Sequence, residues 1–257
     1  MIKKNKPLIL VVNDDGIDSN GIKVLSDTMR DIAEVFVVAP ESDRSGVSHA
    51  MTLDADIYIN NVNEEKNEFV CSGTPVDCVK LAVNKILPKL PDLCVSGINH
   101  GSNHSINVLY SGTVHGAIEG TIQGIPSISF SHLSYSDNTD LNPFKEVIKK
   151  LSIQVISNKP SKGMTLNVNF PDVPFHQIKG LKICKQGDGY WKEDFKFKKH
   201  NAKTSYYSIT GEFKTREINP GTDSWALANN FISIVPITID FTAYDRLNVL
   251  KYLAYDF

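Results

Sequence analysis

A chain of 257 residues, 41% hydrophobic and 22% charged, has an ordinary globular composition and enough length for one large domain or two unequal ones. Its formal net charge of −2 argues against a general attraction to nucleic acid or anionic membrane. No run approaches the ~18 apolar residues of a membrane span, and the lysine-rich start leads into only five apolar residues, short of the ~7–15 that a signal peptide needs.

Leu8-Ile9-Leu10-Val11-Val12 has no polar alternation, the pattern of a strand buried on both faces of a parallel sheet. It stops at Asn13-Asp14-Asp15-Gly16. Ligand crevices of open α/β sheets lie outside the carboxyl ends of the strands. Two adjacent acids there repel each other, and keeping both ionised favours a shared cation. Strand neighbours point to opposite faces, so the chain must turn for both to reach one ion, and Gly16 permits that turn. An ordinary turn leading into a helix cap accounts for the same four residues.

Ile22, Leu25, Met29 and Ile32 then follow at helical spacing, with Ser19 or Asn20 as cap. Gly16 and Gly21 do not make a P-loop, because Ile22 and Lys23 stand where Lys and Ser or Thr are needed, and no G-x-G-x-x-G occurs at this turn. Val35-Phe36-Val37-Val38-Ala39 is a second buried strand. Its polar exit loop, Pro40-Glu41-Ser42-Asp43-Arg44-Ser45-Gly46, opens on the same crevice edge. Ile57-Tyr58-Ile59 and Phe69-Val70-Cys71 read as a hairpin around the polar stretch 60–67. Ser72-Gly73-Thr74-Pro75 starts a helix, with Thr74 as cap, Pro75 at its first position, and Val76, Val79 and Val83 as its buried stripe.

Leu93-Cys94-Val95-Ser96 is a further strand, leaving through Gly97-Ile98-Asn99-His100-Gly101-Ser102-Asn103. Tyr110-Ser111-Gly112-Thr113 precedes a helix over 114–123. Small residues before a helix leave N–H groups aimed at an anion such as phosphate; capping by Ser111 or Thr113 is the plainer account. A strand over 125–131 and a helix marked by Phe144, Val147, Ile148, Leu151 and Val155 complete an alternation over residues 1–160. It predicts a doubly wound, Rossmann-like, mostly parallel α/β sheet.

Residues 161–257 have a different texture, that of a smaller β-rich extension. Strands are expected over 165–170, 181–184 and 231–235, and a closing helix over 246–255. Residues 182–217 carry nine Lys/Arg against five Asp/Glu, around Tyr190-Trp191 and Phe195-Lys196-Phe197-Lys198-Lys199-His200. Basic residues interleaved with aromatics can bind nucleic acid, but Phe-Lys-Phe-Lys alternation equally marks a strand with one wet face. A protruding β-arm over 190–200 is predicted, with no nucleic-acid partner. The four cysteines, Cys71, Cys78, Cys94 and Cys184, form no CxxC pair; free buried thiols in a reducing cytoplasm are expected.

Three strand ends therefore offer oxygen ligands: Asp14 and Asp15, Ser45, and Asn99. No His or Cys cluster has zinc spacing, and an all-oxygen set suits Mg²⁺, Mn²⁺ or Ca²⁺. His49, His100, His104 and His115 fall near the crevice and are read as peripheral or packed, though one of them could contact phosphate or protonate a leaving group.

Five ordered motifs resemble the SurE (survival protein E) 5'/3'-nucleotidases: Val-Val-Asn-Asp-Asp-Gly-Ile, Ala-Pro-Glu-Ser-Asp-Arg-Ser-Gly, Ser-Gly-Thr-Pro-Val-Asp-Cys-Val, Ser-Gly-Ile-Asn-His-Gly-Ser-Asn and Tyr-Ser-Gly-Thr-Val. The resemblance covers roughly residues 8–131 and continues more weakly through Leu166-Asn167-Val168-Asn169, Gly221-Thr222-Asp223 and 232–237. It implies one divalent metal, Mg²⁺ or Mn²⁺, held by Asp14, Asp15, Ser45 and Asn99, with phosphate contacts at Asn103, Ser111, Gly112 and Thr113. It also implies a cytoplasmic hydrolase of nucleoside monophosphates, some members cleaving short polyphosphate, assembled as a dimer or tetramer through exchanged C-terminal elements. His115-Gly116 departs from the small residues usual in that family, a difference that could narrow the pocket and bears on substrate range.

The mechanism expected is metal-assisted phosphomonoester hydrolysis, with Asp14 or Asp15 taking a proton from the attacking water. Rival readings are an aspartyl-phosphate phosphatase, which has two acids one residue apart rather than adjacent, and a metal-dependent nucleotide sensor without turnover.

Overall fold

A computed structural model describes residues 6–136, 138–158, 163–201 and 203–254. The expected boundary at 160 and the last residue of the expected closing helix, Tyr255, lie outside the described residues. In chain order the first elements are β1 (Leu8–Val12), α1 (Asn20–Arg30), β2 (Glu34–Pro40), β3 (Ile59–Asn63), β4 (Glu68–Cys71) and α2 (Pro75–Leu81). Next come β5 (Leu93–His100), α3 (Gly112–Ile122), β6 (Ser127–His132), α4 (Lys145–Asn158) and β7 (Met164–Phe170). The chain ends with β8 (Leu181–Ile183), β9 (Asp188–Asn201), β10 (Thr204–Glu217), α5 (Asp223–Ala228) and β11 (Ile232–Thr238).

One nine-stranded sheet runs in the order β3-β4-β2-β1-β5-β6-β7-β11-β8. It is mostly parallel, with antiparallel pairing only where β3 meets β4 and β7 meets β11. The chain is thus an α/β protein whose late strands β7, β8 and β11 extend the sheet begun by β1. Every residue of β1 is buried, as its unbroken apolar run requires. Helices α1 and α4 bury Ile22, Leu25, Met29, Ile148 and Val155 against one face, with Phe130 and Phe170. Helices α2 and α3 cover the other: Cys78 and Val79 pack on Leu10, Val12 and Val38, and α3 lies on β5 and β6.

The helix starts follow from their caps. Ser19 accepts from Ile22 N–H, and Thr74 and Asp77 form a reciprocal capping box ahead of Pro75. Glycine inside a helix costs roughly 1 kcal/mol. Gly21 in α1 is outweighed by full burial of Ile22, Leu25 and Met29, each worth about 1.5–3 kcal/mol.

Several sequence expectations are corrected. The strand expected from Ile57 begins at Ile59 and continues to Asn63, because β4 ends at Cys71 and only the Ser72 turn faces Tyr58. The strand expected over Leu93-Cys94-Val95-Ser96 runs on to His100, since Asn99 and His100 keep pairing with Ser131 and His132 beyond a bulge. The closing helix is absent among the described residues; single turns stand at Tyr244–Arg246 and Lys251–Leu253. Leu247, Val249, Leu250 and Leu253 are exposed there, and a short helix with no packed face is marginal. The predicted arm is present as an antiparallel hairpin of β9 and β10, 14 residues each and roughly 45 Å long at ~3.3 Å per residue.

From β1 the chain builds outward through β2, β4 and β3, then returns to the other side of β1 with β5. That reversal makes a topological switch point at the carboxyl ends of β1 and β5, where a doubly wound sheet forms its crevice.

Candidate active site at the β1–β5 switch point

The turn after β1 is held from within. Asn13 Nδ2 donates to Gly16 O at 2.8 Å and to Ser19 Oγ at 3.0 Å, and Gly16 takes φ +93°, a region few other residues adopt. Asp14 O accepts from Arg44 N–H at 2.8 Å, which hooks the β2 exit loop onto the β1 turn. Asp14, Ser45, Asn99, Asn103 and Ser111 then line one cavity of about 670 Å³. Asp15, Gly112 and Thr113 lie outside that lining; Asp15 is half-buried and Thr113 fully buried beneath it.

Thr113 ties the floor together. Its hydroxyl donates to Asp14 Oδ1 and lies 3.3 Å from Asn99 Oδ1. Gly112 allows this approach, since a Cβ there would stand 2.8 Å from Asp14 Cβ and Oδ2. Burial pushes the Asp14 carboxyl up to about 6, against the lowering effect of the Thr113 hydroxyl and backbone. Asp14 thus occupies part of the positive end of α3. Ser111 is the cap of that helix, its hydroxyl accepting from Val114 N–H at 3.0 Å. Of the two sequence accounts of this turn, capping by Ser111 is the one observed, and the Thr113 N–H serves the Asp14 carboxylate.

The neutral oxygens are oriented by where their hydrogens go. Asn99 Nδ2 donates to Gly101 O at 2.7 Å and His100 O at 3.2 Å, which turns Oδ1 toward the Thr113 hydroxyl. Ser45 donates to Asp43 Oδ1 at 2.6 Å and keeps its lone pairs for another partner. Two carboxylates, an amide oxygen and a hydroxyl suit a hard cation. Among the described residues no group of three or more His, Cys, Asp or Glu side chains is placed to hold a metal, so an ion here depends on the neutral donors as well.

Asn103 is set by a buried polar network. Its Nδ2 donates to Ser131 Oγ at 2.8 Å, its N–H donates to Asn169 Oδ1, and its carbonyl accepts from Asn167 Nδ2, both at 2.8 Å. Asn167 and Asn169 were not among the expected site residues; their signal was a strand whose alternate positions are Asn. Asp223, fully buried, accepts from Ser105 N–H and Gly187 N–H at 2.8 Å, joining the cavity loop to the root of the arm. Trp191, Glu193 and Ile209 of the arm line the cavity, a role that local sequence patterning could not indicate.

The histidines divide. His100 lines the cavity. His115 does not: its Nδ1–H donates to Ser111 O at 2.8 Å and its ring meets His49 edge-on at 5.2 Å. Burial, with His49 nearby, pushes the His115 pKa down despite the Ser111 carbonyl. His49 Nε2 pairs at 2.9 Å with Glu119, a buried acid on α3 that also receives Lys80 and Gln123. His104 packs edge-on against Phe213 and is held low by burial.

A family model described as "Survival protein SurE" matches residues 9–193. The chain is 48% identical over 250 residues to a protein named 5'-nucleotidase SurE from Flavobacterium psychrophilum, covering 96% of this chain and 97% of that one. A protein of the same name from Flavobacterium johnsoniae is 46% identical over 253 residues, covering 97% and 98%. Among solved structures, a SurE protein from Aquifex aeolicus matches with a TM-score of 0.84 at 36% identity, covering 96% of this chain and 99% of that one.

Proposed function

The chain belongs to the SurE family, and from that premise we propose that it is a 5'-nucleotidase. The reaction is metal-dependent hydrolysis of nucleoside 5'- and 3'-monophosphates to nucleoside and phosphate, with short polyphosphate as a further substrate. The observation that carries this reading is the orientation of donors around Asp14. Asn99 and Ser45 have spent their hydrogens on other acceptors, which leaves oxygens in the same cavity as a buried carboxylate whose ionisation burial disfavours. A divalent cation relieves that cost.

Asp14, Asp15, Ser45 and Asn99 would hold the ion. When bound, such a cation neutralises phosphoryl charge and acidifies a water. Asn103 and the first turn of α3, through Ser111, Gly112 and Thr113, take the remaining phosphoryl oxygens, as helix N-termini do. Thr113 fixes Asp14 Oδ1, so that carboxylate is held in one orientation at the moment charge develops. Asp14 and Asp15 are the two acids able to take the water's proton, and direct attack by water leaves no phospho-enzyme.

The same reading assigns residues 161–257 to assembly as a homodimer or homotetramer. Large apolar side chains stand exposed on the arm, such as Phe197 and Tyr207, and along the C-terminal stretch, such as Phe241 and Tyr252. It also assigns the protein to the cytoplasm, where the four free, buried cysteines stay reduced. Among the described residues no helix is long and apolar enough to cross a membrane.

A phosphate-release screen over nucleoside 5'- and 3'-monophosphates, with Mg²⁺, Mn²⁺ or chelator, tests the function. Release that stops with chelator and returns with Mn²⁺ or Mg²⁺ supports it. Undiminished release from metal-free protein contradicts it.

A further inference from the structure

We propose that the face of the β9–β10 arm that closes the cavity is a nucleobase subsite, and that Glu193 reads the N–H edge of guanine. The inference rests on the nucleotidase reading and adds which base that site favours. Trp191, Glu193, Ile209 and Gly211 line the same cavity as Asp14 and Asn99. The ladder pairs Trp191 with Phe213, Glu193 with Gly211 and Phe195 with Ile209. Alternation along each strand puts these six residues on one face of the ribbon. Charged Lys192, Asp194, Glu212 and Lys214 fall on the other.

That face is apolar except for one carboxylate. Glu193 is exposed, and no cation among the described residues pairs with it. Its cross-strand neighbour is Gly211, which adds no side chain of its own, and the Trp191 ring edge lies over that glycine. The wall around it is fixed in place. Trp191 Nε1 donates to Asn107 Oδ1 at 2.7 Å, and its ring meets Phe213 edge-on at 5.8 Å. Tyr135, which lines the same cavity, lies over Gly101, leaving no room there for a Cβ. Tyr135 is 71% exposed. Open aromatic surface next to a polar phosphate site is what a planar base stacks on.

The base follows from the chemistry of a carboxylate, which at neutral pH only accepts hydrogen bonds. Guanine presents N1–H and N2–H side by side, a fork that matches two carboxylate oxygens. Hypoxanthine presents N1–H alone. Adenine and cytosine place a lone pair beside their amino group, facing the carboxylate's own charge. Uracil's N3–H is flanked by two carbonyls. The order in kcat/KM is therefore GMP first, then IMP, with AMP, CMP and UMP lower.

The experiment measures kcat/KM for 5'-GMP, 5'-IMP and 5'-AMP with Mn²⁺, on the full-length protein and on Glu193→Gln. Quenching of tryptophan fluorescence by GMP and AMP is followed in parallel. Expected is a GMP-to-AMP ratio of roughly tenfold or more, the order of discrimination a two-point base contact provides, falling toward one in Glu193→Gln. A ratio near one in the wild type, or a ratio unchanged in the variant, overturns the subsite. Hydrolysis of p-nitrophenyl phosphate by the wild type separates the two claims. Selective quenching by GMP without hydrolysis of any phosphomonoester keeps the subsite and removes the nucleotidase reading; equal quenching by both nucleotides removes the subsite.

Discussion

The Thr113 hydroxyl donates to the Asp14 carboxylate, joining residues 99 positions apart in sequence, and the same oxygen lies 3.3 Å from Asn99 Oδ1. The tie connects the end of β1, the end of β5 and the first turn of α3. A hydrogen bond to a charged group is worth about 1.5–3 kcal/mol. Thr113→Val should therefore lower kcat/KM by roughly 10- to 100-fold and raise the Mn²⁺ concentration for half-maximal activity. Thr113→Ser, which keeps the hydroxyl, should retain most activity. Equal losses in both variants would show that packing rather than the hydroxyl matters.

The strand-end residues Asp14, Ser45 and Asn99 were legible because a parallel sheet sends each exit loop to one edge, and buried strands announce themselves by composition. Thr113 was legible as part of a helix start but not as a support for Asp14, since that contact joins segments no local pattern relates. Asn167 and Asn169 stood in a weaker stretch of the family resemblance with no role attached, and only the pairing of β6 with β7 gives them Asn103 and Ser129 as partners. The arm was visible as alternation, but nothing in alternation says which face meets the cavity. The C-terminal helix was misread because apolar spacing looks the same whether or not a packing partner exists.

Gly21 shows what its spacing from Gly16 is for. A Cβ at position 21 would fall 1.9 Å from Ile98 O, so the glycine lets α1 lie directly on the bulged end of β5. Gly21→Ala must push α1 away from the strand that carries Asn99. Overpacking costs about 1–3 kcal/mol, and the melting midpoint should drop by several degrees with a loss of activity. An unchanged midpoint would mean that α1 shifts freely.

Glu119 is buried on α3, where burial opposes its ionisation but His49, Lys80 and Gln123 outweigh it and hold the carboxyl below its usual range. A depressed native pKa contributes stability above the unfolded-state value of about 4.3, and that stability is lost as pH falls through the native value. Glu119→Gln should flatten the acid limb of a midpoint-against-pH curve. It should also loosen the loop that carries His49 and Ser45, seen as a higher Mn²⁺ requirement. A curve that superposes on the wild type would remove Glu119 from the acid transition.

Phe197 and Tyr207 pack edge-on at 5.8 Å near the arm tip, 59% and 58% exposed. Such a pair is expected to be covered in the assembled protein. The double variant Phe197→Lys, Tyr207→Lys should shift light-scattering mass to a smaller species at micromolar concentration. The sheet core should keep its melting transition, because neither Phe197 nor Tyr207 belongs to its hydrophobic clusters. A mass equal to that of the wild type would place the assembly contacts elsewhere, with the exposed Phe241 and Tyr252 the next to change.

Asp14→Asn separates a metal-binding acid from a turn residue. The substitution keeps size and one acceptor oxygen but removes the charge. Burial raises the native carboxyl of Asp14 to about 6, above the unfolded value. A raised native pKa means that the folded, metal-free protein binds this proton more tightly, so stability from this group increases as pH falls from about 6 toward 4. Asn has no such proton. The metal-free variant should be at least as stable as wild type at pH 7, and its midpoint should lack the gain on acidification. Turnover should fall by at least ~10²-fold, as for loss of one preorganised electrostatic group, and Mn²⁺ should no longer raise the midpoint. If Asp14 served only the turn, Asn would replace it with activity intact, because Asn caps helices as well as Asp does. Turnover and midpoint with and without Mn²⁺ decide between the two. A variant with wild-type turnover and the same Mn²⁺-induced rise takes Asp14 out of the site.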